Sequence, residues 1–90
     1  MIRIWGKVIK NNKIIKNEVA VSDIDGSYQD NLKLCIKELC YKLDISKPYW
    51  LPPNVKEYNR RRKTTFNENH FIDEIDFDKF VIEEISVEED

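Results

Sequence analysis

Three groups of residues in this 90-residue chain have the types and spacing for chemistry. Asp23 and Asp25 stand two apart, after the apolar run Val19-Ala20-Val21 and before Gly26-Ser27. Two carboxylates on such a turn could divide nucleophile and general acid between them, with a metal ion neutralising charge. His70, Asp73 and Glu74 lie within about one helical turn and could offer weak metal ligation. Arg60-Arg61-Arg62-Lys63 is a run of four cations, and guanidinium groups suit phosphate oxygens.

The first group resembles the opening motif of haloacid-dehalogenase-like phosphatases, an apolar strand followed by Asp-x-Asp-Gly-Thr/Ser. The resemblance implies a nucleophile at Asp23 and a general acid at Asp25. It covers nine residues, Val19 to Ser27, of the ninety. The family's domain is longer than this chain and its site needs a later lysine and further acids after parallel strands. Here the preceding strand is the second arm of a hairpin, so the local reading is a hairpin exit, a glycine turn and a helix cap. His70 has no fourth ligand in view and is expected as a cap or surface histidine. Cys35 and Cys40 are five apart, about 140° around a helix, which disfavours a mutual disulfide or a shared metal. They are expected to be buried thiols. No catalytic residue, metal site or cofactor is therefore expected, and the chain is read as a non-enzyme.

Charge is distributed unevenly. Residues 1–66 carry 14 Lys/Arg against 7 Asp/Glu, a balance of +7. Residues 67–90 carry one Lys against ten acids, a balance of −9, and the two sum to the net −2. Either the basic part meets an acidic partner, or the chain neutralises itself on folding. Hydrophobic content of 41% with 11% aromatics fits a folded domain with a charged exterior. No apolar run reaches transmembrane length and no signal-peptide core is seen, so a cytoplasmic protein without membrane contact is expected. Twelve isoleucines against five leucines, with eleven lysines and eight asparagines, point to an A+T-rich genome such as that of a low-G+C bacterium or its phage.

The elements that must position these residues follow from periodicity. Residues 2–10 and 13–21 alternate around Asn11-Asn12, a two-residue turn tolerant of positive φ. Uninterrupted alternation pairs Val8 with Ile15, Ile4 with Val19 and Ile2 with Val21, and turns those six residues to the core. Trp5 then falls on the opposite face, ringed by Arg3, Lys7 and Lys16. Ser27, with Asp30 in the capping-box position, opens an amphipathic helix over 28–44, with Leu32, Ile36, Leu39 and Leu43 as its stripe. Pro48, Pro52 and Pro53 interrupt helix, and a short second helix over 53–62 carries Val55 and Tyr58 inward. A short strand at 64–66, one or two helical turns before residue 75 and a last strand near 78–85 complete the order. The last strand is expected beside the first, bringing Asp78, Glu83 and Glu84 to its cations.

The expected fold is therefore α+β: a small, mostly antiparallel sheet, made of the N-terminal hairpin plus a C-terminal strand, packed on one long helix, with a short second helix. Residues 1–86 form one domain, and 87–90 an acidic, frayed tail. The expected function is that of a small non-catalytic accessory module binding another protein or itself. Its contact residues are Trp5, Lys7 and Lys16, with the 60–63 cluster. The alternative is weak nucleic-acid binding through Arg60, Arg61, Arg62 and Lys63.

Overall fold

A computed structural model describes residues 1–85. Strands β1 (Ile2–Lys10) and β2 (Lys13–Ser22) precede helix α1 (Tyr28–Leu43) and helix α2 (Pro52–Arg61). Strand β3 (Lys63–Phe66), a 3-10 turn at Glu68–His70 and strand β4 (Lys79–Glu84) follow. The strands form one antiparallel sheet in the order β2-β1-β4-β3. This is the expected α+β architecture, with β4 between β1 and β3. The frayed tail expected at 87–90 lies outside the described residues. No helix among the described residues is long and apolar enough to cross a membrane.

Both helices lie on one face of the sheet. Even-numbered strand residues supply the core there: Ile2, Ile4, Val8, Ala20, Phe66, Phe80 and Ile82 meet Leu32, Ile36, Leu39 and Leu43 of α1 and Tyr58 of α2. Gly6 belongs to this face, where a larger side chain would press on its neighbours. A Cβ there would lie 3.1 Å from both Leu39 Cδ1 and Phe80 Cε1. Cys35 and Cys40 are buried free thiols, as expected. Ser27 caps α1 in a complete capping box with Asp30. Asn31, inside the helix, ties it to the end of β2 by accepting from Ser22 Oγ at 2.7 Å and from the Ile24 N–H at 2.9 Å.

The hairpin departs from uninterrupted alternation. Asn11 and Asn12 take φ of 54° and 63°, the left-handed pair that the tight turn requires. Lys10 faces Lys13 and Ile9 faces Ile14, but then the register shifts between Val8 and Ile9. Ile15 is the extra residue of a β-bulge, and Val8 faces Lys16. From there Ile4 faces Ala20, Trp5 faces Val19 and Arg3 faces Val21. The expected inward set on β2 is thus corrected: Ile15, Val19 and Val21 are 49%, 38% and 44% exposed, while Ala20 and Ser22 are buried. The reason lies in α1. The helix approaches β2 where a small Ala20 leaves room, and Ser22 supplies the hydroxyl that Asn31 holds.

Two smaller corrections concern the second half. Asn54 and Tyr58 face inward from α2, whereas Val55 is 45% exposed. Asn54 bonds Thr64 Oγ1 at 2.9 Å and the Thr65 carbonyl at 3.0 Å, so the helix is fixed to β3 by an amide, with Leu51 N–H closing back on its Oδ1. Before residue 75 the helical structure is the single 3-10 turn, and Ile72 is 78% exposed. Phe71 and Phe77 pack edge to face there instead.

Candidate interaction surface

Trp5 lies on the sheet face that carries no helix, half-buried, with its indole N–H donating to Asn17 Oδ1 at 3.2 Å. Its cross-strand neighbours are Val19 on β2 and Glu83 on β4. Lys7 stands beside it, Nζ 4.1 Å from the ring centroid and 3.3 Å from Glu83 Oε1. A cation over an indole face and against a carboxylate is held by both. The basic first strand and the acidic last strand thus neutralise each other at this point, as their expected pairing requires. Lys16 is not part of the ring around Trp5. The bulge places it on the helix side, where its Nζ donates to the Leu43 carbonyl at 3.2 Å. A cation at that position complements the C-terminal end of α1.

Two cations of the basic run meet acids within the chain. Arg61 pairs with Glu57 at 3.9 Å, along α2. Arg62 ends the helix at φ 54°, sits over the Tyr28 ring at 5.2 Å and lies 3.8 Å from Glu84 Oε2. Lys63 is half-buried at the start of β3, opposite Glu83, and Arg60 is exposed on α2. Glu84 also accepts from Tyr28 Oη at 2.6 Å, and Tyr28 and Tyr58 share a hydrogen bond of 2.9 Å. Burial, followed by the bond to Glu84, pushes the Tyr28 hydroxyl far above its usual range, and burial raises Tyr58 as well.

The groups with catalytic or metal-binding types are scattered. Asp23 and Asp25 are exposed at the bend after β2. His70 is buried; its Nδ1 accepts the Asn67 N–H at 3.1 Å and its ring meets Phe66 edge to face. Asp73 accepts from Ser46 Oγ at 3.2 Å. Among the described residues no three His, Cys, Asp or Glu side chains are grouped to hold a metal ion. Burial pushes both thiols up to about 11, so little reactive thiolate exists at neutral pH.

Among the described residues no strand pairs with the outer edge of β2. On β1, the Arg3 and Ile9 carbonyls accept from Ile85 and Asp78, so odd-numbered residues of β1 direct their backbone groups toward β4. Even-numbered ones therefore bond β2, through Lys16, Glu18, Ala20 and Ser22. Asn17, Val19 and Val21 consequently point their N–H and C=O groups away from the sheet. Lys42 of α1 confirms the direction by reaching the Val19 carbonyl at 3.3 Å. The side chains of Val19 and Val21 continue the helix-free face outward from Trp5 and Arg3. On the other side of the same edge, a groove of about 540 Å³ between α1 and β2 is lined by Ser22, Ile24, Leu34 and Tyr41, with Lys37 and Glu38. Leu34 is 41% and Tyr41 87% exposed.

Periodicity alone missed Val19, Val21, Leu34 and Tyr41 as surface residues of interest. For the helix a signal was present, since Leu34 and Tyr41 are large and lie off the Leu32–Leu43 stripe. For the valines there was none, because the bulge that turns them outward leaves the alternation intact. Comparison with protein-family models, with curated proteins and with solved structures found no match.

Proposed function

We propose that this chain is a small non-catalytic interaction module that binds a protein by its β2 edge and the adjoining helix-free face around Trp5. One observation carries the reading: a ten-residue edge strand exposes Val19 and Val21 next to Trp5, with outward backbone groups and no covering element among the described residues. A long edge strand with apolar side chains is a template for strand addition, and proteins that do not use such an edge shorten or block it. The opposite edge, β3, has only four residues. An aromatic anchor beside a charged rim is also the usual anatomy of a contact surface. Affinity capture from native cell extract, with nuclease present, tests the reading. Capture that is lost in Val19→Pro and Val21→Lys supports it, and an identical set of partners for wild type and both variants refutes it.

A second reading, nucleic-acid binding, is favoured by a different feature. Lys33, Lys37 and Lys47 line one groove together with Tyr49 and Trp50, a pairing of cations and aromatic surfaces suited to a single strand. Arg60 to Lys63 lie outside this groove's lining. A mobility-shift titration at low salt checks this, and binding must weaken as salt rises.

A further inference from the structure

We propose that the partner of the β2 edge is a second copy of this chain, joined antiparallel about a two-fold axis at Val19. The proposal rests on the interaction reading above and narrows it to one occupant. The regular part of β2 begins at Lys16, after the bulge, and ends at Ser22. Its midpoint is Val19, whose backbone groups point outward. Centring the pair there makes the whole regular run self-complementary in direction: Val19 faces Val19 of the other copy, and Asn17 faces Val21 twice. These residues point their N–H and C=O groups outward, and the Val19 carbonyl, which already accepts from Lys42, keeps a second lone pair, so each facing pair exchanges two backbone hydrogen bonds. A centre nearer the hairpin turn brings the bulge into the ladder, and one nearer Ser22 shortens the ladder.

Side chains agree with this register. On the helix-free face, the two copies of Val19 meet on the axis with Val21 beside them, and the apolar strip from each Trp5 becomes continuous. On the helix face, Glu18 of one copy stands opposite Ala20 of the other. Lys42 is held at the neighbouring Val19 carbonyl and by Glu38 at 3.4 Å, so each copy's Glu18 carboxylate comes to the other copy's ammonium as a second acid. The axis is perpendicular to the sheet, so both α1 helices lie on the same side. Each α1 packs over its own β2 and β1, and pairing edges about 4.8 Å apart brings the helix flanks to packing distance. Those flanks carry Leu34 and Tyr41, which would fill the α1–β2 groove of the partner. The interface is isologous and closed, so it yields a dimer and no filament.

The test uses the full chain. Sedimentation equilibrium of wild type should give a dimer at micromolar concentration. Val19→Pro should be monomeric with unchanged circular dichroism, because its N–H points away from β1 and no ladder bond is lost within the subunit. Val19→Lys provides the same readout without altering the backbone. Val19→Cys should cross-link to itself on mild oxidation, since facing α-carbons in a hydrogen-bonded pair lie about 5.5 Å apart. Asn17→Cys and Val21→Cys should each stay uncross-linked alone and join when mixed. A wild type that stays monomeric at high micromolar concentration, or a dimer that survives Val19→Pro, overturns the proposal. If wild type is monomeric while Val19→Pro loses capture of a different protein, the dimer falls and the edge reading stands. If neither changes, both fall.

Discussion

The bulge at Ile15 can be tested by a pair of substitutions whose costs exchange rank if it is absent. Ile15 is half exposed and Ala20 is 1% exposed beneath α1. Ile15→Lys therefore replaces a side chain already in water, and should change stability by no more than about 0.5 kcal/mol. Ala20→Lys must force a four-carbon stem into a closed layer and remove an ammonium from water. Overpacking alone costs about 1–3 kcal/mol, and the desolvated charge adds more, so a loss of at least about 3 kcal/mol is expected. For a chain of this size, total stability is about 5–13 kcal/mol, and each kcal/mol moves Tm by about 4–8 °C. Ala20→Lys should then lower Tm by about 12 °C or more, with Ile15→Lys within about 4 °C of wild type. Under uninterrupted alternation Ile15 would be inside, and its loss would cost about 2–5 kcal/mol. Urea and thermal unfolding, followed by far-ultraviolet circular dichroism at one low protein concentration, read both values. A larger loss for Ile15→Lys than for Ala20→Lys refutes the bulged register.

Gly6→Ala should destabilise by about 1–3 kcal/mol, because the new methyl meets Leu39 and Phe80 at 3.1 Å in a packed layer; a neutral or stabilising result would mean the layer is looser than described. The thiols of Cys35 and Cys40, raised by burial from 9.0 to about 11, give stability that is complete below pH 9 and lost as pH climbs toward 11, since the unfolded chain releases those protons first. The urea midpoint should fall across that window, with a smaller fall in Cys40→Ala; a flat profile between pH 9 and 11 contradicts it. Tyr28 and Tyr58 act in the same direction. In amide exchange at pH 7, Val81 to Glu84 should be among the slowest positions, because β4 is bonded on both sides by β1 and β3. The outward amide of Val21 should exchange fast in Val19→Lys and slowly in the proposed wild-type dimer.

Much of the fold was legible in the residues. The two asparagines specify the hairpin turn, Ser27 and Asp30 specify the start of α1, and a stripe of leucines and isoleucine specifies its buried face. These are local or nearest-neighbour effects: dihedral preference, a capping bond, a 3.6-residue period. The pairing of β1 with β4 was legible too, because they carry opposite charge and Lys7 meets Glu83, whereas the place of β3 beyond β4 was not. The side of β2 that faces the core was not legible. Alternation favours Ile15, Val19 and Val21 inside, yet the bulged register turns Lys16, Glu18, Ala20 and Ser22 to the helix side, because the choice depends on how closely α1 can approach.

The chain alone thus determined which segments are strands and helices and where α1 buries its stripe. Tertiary structure decided which residues became surface, and with them the candidate site. A one-residue bulge moved Val19 and Val21 from the expected core to an open edge, moved Lys16 under the end of α1, and placed Val19 beside Trp5, which keeps Lys7 over its ring. The physical reason is that side-chain direction in a strand has period two. A single inserted residue reverses every contact beyond it, while leaving the pattern of the sequence unchanged.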